Sequence, residues 1–420
     1  MQMTTTTATG LTIPLAAQVV PGQPFDPVAA TNAYLAMLPA DKRASSDAYF
    51  EGGYWIPLWG SLIEIIIVLF LLRTGLSRAM RDRSEKWSKL KPLQTFLYWT
   101  QFSVVIALLS FPFTLYTDFL REHQYNLSNL TFGAWMGEQG KALALSIILG
   151  GLVVTALYGV ARRFPRTWNI WGAAVGIFFV IIGILIAPVF IVPLFNKVTP
   201  LTDARIRDPI LSMARANGIE AKDVFVVDAS KQSKRVSANV SGLGNTMRIT
   251  LNDNLLNRSS PQEIEAVMGH EMGHYVLNHV YKGVMFFTII IVLLFAFIKW
   301  IFDWTVARWG GKWGIRDIGD TAGLPVVVGA LTVFFFLTSP ILVTFTRTQE
   351  AEADMFGLNA SRQPDGFSHA ALQLSEYRKL DPGKWEEIFF FDHPSGRNRI
   401  YRSMVWKAEH PGDYTSSQIR

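Results

Sequence analysis

Cysteine is absent from all 420 residues. The chain therefore forms no disulfide, offers no thiolate to a metal and has no cysteine nucleophile. Histidine is scarce, with seven copies, and charged residues make up only 17% of the chain. Any metal site must be built from imidazole and carboxylate. Long basic runs are also missing. The net charge of +6 lies along the flanks of apolar segments, which argues for charge at a membrane surface and against a nucleic-acid partner.

Apolar sequence is in excess. Half the residues are hydrophobic and the mean hydropathy is +0.23. Six stretches, 55–72, 97–117, 142–161, 171–193, 283–302 and 322–345, are each about as long and apolar as a bilayer crossing requires, roughly 20 residues. This predicts a mainly α, polytopic membrane protein. It divides into a polar segment 1–54, four spans over 55–193, an insertion 194–282, two spans over 283–345 and a tail 346–420. Insertion and tail together are large enough for one small α+β domain.

Within the insertion, residues 202–216 read as a helix stopped by Gly218, and Val224–Val227 as a strand. Val236–Gly242 and Arg248–Leu251 read as two more strands, joined at Gly244-Asn245. Ser260, Pro261 and Glu263 then form a helix start: an N-cap, a first-turn proline and a capping box. Three turns into that helix stands His270-Glu271-Met272-Gly273-His274. Two histidines four apart share a helix face and reach one metal ion, with Glu271 beside the open position to deprotonate a water. The pattern belongs to zinc peptidases. A catalytic zinc needs a third protein ligand, and Glu350 is the best candidate. Two spans separate it from His274, so both emerge on one membrane face. Asp354, one turn later, can hydrogen-bond the far nitrogen of a ligand histidine. Glu352 is expected to face away, and the helix to run on towards the fifth span. His279 is expected to pack or hydrogen-bond locally, and His123, His369 and His410 to lie at the surface. Glu64, within the first span, is expected to face a wet interior.

Several stretches carry a family likeness: Pro193–Pro200, Asp228–Lys231, Ser237–Asn239 with Gly242, Arg248–Leu256, the HExxH run to His279, Glu350 with Asp354, and His393-Pro394 with Arg399. On these the chain resembles the type 1 CAAX prenyl proteases, integral-membrane zinc metalloendopeptidases. The resemblance implies one Zn2+ held by His270, His274 and Glu350, with Asp354 behind them and Glu271 as general base. It implies that His393 stabilises the oxyanion, that the strand at Asn239 pairs with extended substrate, and that Arg399 contacts substrate or forms a structural ion pair. It implies a ring of helices around a water-filled chamber, and a protein or peptide substrate that is lipidated or membrane-associated. Eukaryotic members have seven spans. Here a polar N-terminal stretch replaces the span before Arg43–Trp55. Membrane-protein quality control is the alternative enzymatic reading, and a transporter or channel the non-enzymatic one. For orientation, the basic loops around Arg73–Lys91, Arg162–Arg166 and Arg308–Arg316 predict a zinc domain outside the cytoplasm, whereas the resemblance places it inside.

Overall fold

The computed structural model describes residues 4–6, 11–20, 22–242 and 247–414. The expected turn at Gly244-Asn245 lies outside them. Six helices are long and apolar enough to cross a membrane: Ala40–Arg73, Lys91–Gln124, Phe132–Arg163, Trp168–Phe195, His279–Trp313 and Thr321–Ser361. They pack in chain order, and the sixth returns to the first, closing a ring. The apolar runs predicted the spans, but the helices are longer than the runs. The last helix is continuous for 38 residues from Leu324, about 57 Å at 1.5 Å per residue. The hydrocarbon core is roughly 30 Å thick, so the C-terminal turns bearing Glu350 and Asp354 project beyond it.

At the far end of the ring, the helix Leu76–Trp87 and the connection before the sixth span form a latch. Arg81 meets Asp320 at 2.5 Å, both buried, and Arg162 donates to the Gly319 carbonyl at 3.0 Å.

At the other end sits the polar domain. Strands β1 (Thr4–Thr6) and β2 (Thr12–Pro14) form a hairpin, and β3 (Val198–Pro200), β4 (Val224–Val227), β5 (Ala238–Ser241) and β6 (Arg248–Asn252) form a sheet of order β3-β4-β6-β5. The β4–β6 pair is parallel; β3–β4 and β5–β6 are antiparallel. Helices α1 (Pro27–Leu35), α2 (Ala204–Ala216), α3 (Pro261–Val276), α4 (Pro364–Leu374) and α5 (Gly396–Glu409) complete the domain: α2 and α3 pack on the sheet, α4 on α3, and α1 and α5 on α4. One core joins α2 and α3 to the sheet through Ile210, Val224, Ile249, Leu251, Ile264 and Met268.

The N-terminal stretch is part of this domain. Leu11, Ile13, Ala17, Ala30 and Tyr34 form a core with Ala371, Leu380, Ile400 and Met404. Tyr34 Oη donates to Asp365 at 2.7 Å, and buried Lys407 binds both Asp365 and the Ala17 carbonyl. His369 is half-buried here against the Thr12 carbonyl, not on the surface as expected.

Candidate metal centre

Helix α3 begins as its sequence dictates: Ser260 caps the Glu263 amide while the Glu263 carboxylate accepts from the Ser260 amide. It does not continue into the fifth span. Asn278, in the left-handed region at φ 58°, breaks the path before a new helix starts at His279. Helix α3 crosses the end of the sixth span almost backbone to backbone. A Cβ on Gly357 would lie 2.7 Å from the His270 amide nitrogen, and one on Gly269 would lie 2.9 Å from the Gly357 carbonyl. Gly273 meets Ala353 similarly. This close crossing brings HExxH against Glu350.

His270 Nε2 lies 3.1 Å from Glu350 Oε2, His274 Nε2 lies 3.3 Å from Glu350 Oε1, and the two imidazole nitrogens are 3.2 Å apart. Tetrahedral zinc with bonds of about 2.0–2.1 Å needs donors roughly 3.3 Å apart. Glu350 Oε2 is buried and makes no hydrogen bond, so a buried carboxylate oxygen awaits a cation. Among the described residues this trio is the one group of histidines and carboxylates arranged to hold a metal ion.

Each imidazole is held from behind. His270 Nδ1 is 2.9 Å from Asp354 Oδ1. Asp354 is itself gripped by Arg399, Nη2 to Oδ1 at 2.5 Å and Nε to Oδ2 at 3.1 Å. Burial opposes charge on His270, but the carboxylates of Asp354 and Glu350 outweigh it and push the imidazole up to about 10. A pocket that draws a proton this strongly suits a metal cation. Burial also works against the Asp354 carboxylate, yet Arg399 and His270 hold it below its usual range.

His274 Nδ1 meets His279 Nδ1 at 2.9 Å, and His279 Nε2 meets Glu352 at 3.1 Å. Glu352 also accepts from Lys282 at 2.6 Å. The expected outward-facing Glu352 is thus partnered, through His279, with a residue of the metal centre. Sequence reasoning missed it because the helix break rotates His279 back over His274. The left-handed Asn278 was the only available signal.

Glu271 lines a cleft of about 180 Å³ with His270, His393 and Arg399. Burial raises its carboxyl above the usual range, tempered by the two imidazoles. His393 Nε2 lies 3.1 Å from Glu350 Oε2, and its Nδ1 is held by Asp392 at 2.7 Å. Burial lowers the imidazole, against the pull of Asp392. The cleft is bordered by Val236 and Ser237, which lead into the edge strand β5, and by Ala238, its first residue. Asn239 is exposed and paired in register with Thr250, so it stands beyond these lining residues. Glu64 is half-buried in the first span.

The chain matches two family models: peptidase family M48 over residues 200–404, and the CAAX prenyl protease N-terminal region, described as five membrane helices, over 32–197. Four helices of spanning length occupy the latter residues here. An uncharacterized metalloprotease of Bacillus subtilis, YhfN, is 29% identical over 81% of this chain and 80% of its own length. CAAX prenyl protease 1 of Saccharomyces cerevisiae is 30% identical over 71% of this chain and 69% of its own. The crystal structure of S. mikatae Ste24p superimposes with a TM-score of 0.74 at 23% identity, covering 91% of this chain and 92% of that one, which establishes the helical chamber fold. The chain belongs to the CAAX prenyl protease family within peptidase family M48 and is an integral-membrane metalloprotease.

Proposed function

We propose that the protein is a zinc endopeptidase that cleaves near the C-terminus of lipidated, CAAX-type substrates. The observation that carries the metal assignment is the convergence of His270, His274 and Glu350 at tetrahedral donor spacing around a buried, unbonded carboxylate oxygen. The donor set of two imidazoles and one carboxylate favours zinc. When bound there, zinc would polarise the scissile carbonyl and acidify a water. The CAAX-type substrate comes from the relatives named CAAX prenyl protease.

Glu271 takes the proton from the attacking water and returns it to the leaving amine nitrogen; a carboxyl raised by burial suits both transfers. His393, protonated on both nitrogens, donates from Nε2 to the oxygen that gains charge, while Asp392 accepts from Nδ1 and supports the charge that burial opposes. Asp354 fixes the His270 ring, and Arg399, its donors engaged by Asp354, positions both. Strand β5, at the edge of the sheet among the described residues, offers main-chain hydrogen bonds to an extended peptide.

The test is cleavage of a farnesylated CAAX peptide against an unlipidated unfolded one, by purified protein in detergent. Preference for the first supports this reading; preference for the second makes the protein a quality-control protease. Glu271→Gln should keep its zinc and lose turnover by at least about 10²-fold. Normal cleavage by that variant contradicts the assignment.

A further inference from the structure

One guanidinium in the cleft has no carboxylate partner. Arg378 follows α4 and lines the cleft beside His393. Its Nη2 lies 3.5 Å from His393 Nε2, and its Nη1 is buried without a hydrogen bond. Among the described residues, no carboxylate oxygen comes within 4.0 Å of it. The neighbouring cations differ. Arg399 is bound by Asp354, and Arg235 by Glu122 and the Tyr49 hydroxyl. Arg378 is half-buried, its shielded Nη1 without a partner, and the planar fork of an arginine matches a carboxylate in two parallel hydrogen bonds.

Beside Arg378 lies a second pocket of only about 20 Å³, walled by Phe50, Leu380 and Phe391, room for about one water.

We propose that Arg378 receives the free α-carboxylate at the C-terminus of the substrate peptide, so that the enzyme measures its cut from the chain end. This rests on the peptidase reading above and specifies which peptides it takes. An acidic side chain could supply the same chemistry, but the C-terminal cut of the proposed function favours a terminus.

The experiment compares three peptides of one sequence on the wild-type protein: a C-terminal acid, a C-terminal amide, and an amide whose last residue is glutamate. The acid should exceed the plain amide in kcat/KM by roughly 10- to 100-fold, chiefly through KM, as a charge-assisted pair predicts. Arg378→Gln should erase that difference by slowing the acid down to the rate of the amide, with zinc content intact. Equal rates for acid and amide on the wild type overturn the proposal and leave the peptidase reading standing. An Arg378→Gln loss shared by acid and amide also overturns it, assigning Arg378 to the oxyanion or to structure. A rate advantage confined to the glutamate amide overturns it in favour of side-chain recognition. Cleavage of none of the three would instead defeat the peptidase reading. The wild-type comparison needs no variant, so misfolding of Arg378→Gln leaves the test intact.

Discussion

Around the metal centre, the chain places two ring nitrogens against one carboxylate and fixes each ring from behind with a different partner. The Asp354–Arg399 pair behind His270 is fully buried, so each charge depends on the other. Replacing Asp354 by Asn keeps the shape but removes the charge. Metal affinity, measured by competition with a chelator, should fall roughly 10- to 100-fold. Stability should fall by about 3 kcal/mol, because Arg399 is left buried and unpaired. Unchanged affinity would remove Asp354 from the centre. At this scale the sequence was highly legible where spacing carried the signal. HExxH and the even number of crossings made Glu350 the best candidate for a third ligand, and the structure brings it against both histidines. The sequence was illegible where partners depend on a third element. Nothing local to Arg399 distinguishes an ion pair with Asp354 from a substrate contact, and His279 meets His274 only because the helix breaks at Asn278.

At the scale of elements, the site depends on one helix crossing. Gly269 and Gly273 on α3 face Ala353 and Gly357 on the sixth span, letting the backbones touch. These small residues sit four apart, Gly273 and Ala353 inside the two motifs and Gly269 and Gly357 just outside them, and their packing role is hidden behind the chemistry of their neighbours. Gly357→Val would drive side-chain atoms into the His270 backbone. Because the opposing atoms are backbone, the helices must separate and the imidazoles must leave Glu350. The variant should bind zinc at least about tenfold more weakly and be less stable by roughly 1–3 kcal/mol. Full metal binding by a folded Gly357→Val protein would show that the crossing is not what assembles the site. The predicted strands and helix starts rested on patterns that tertiary packing did not override: β4, β6 and the Ser260 cap fall where alternation and capping chemistry indicate. The N-terminal stretch was read only as polar sequence. Its helix α1 docks through Tyr34 and through Asn32, which accepts from Arg397 at 3.0 Å. These partners lie more than 300 residues away, a distance no local pattern reports.

For the whole molecule, the ring closes with six spans. The sixth packs on the first, while the N-terminal stretch packs into the polar domain at the peptidase end. The Arg81–Asp320 latch closes the other end. Much of the basic charge that the positive-inside rule counts is built into this far face: Arg162 on the Gly319 carbonyl and Arg316 on Glu85 at 2.7 Å. We expect the zinc domain to face the cytosol, as in the family resemblance. A reporter active only in the cytosol, fused after Arg420, should be active; silence, with activity from a reporter of the opposite compartment, would reverse the orientation. The claim on which the account stands is the metal held by His270, His274 and Glu350. Elemental analysis of the purified wild-type protein and of Glu350→Gln tests it most directly. The account predicts one zinc per wild-type chain and less than about a tenth of that in the folded variant. A folded Glu350→Gln protein retaining a full complement of zinc would contradict it.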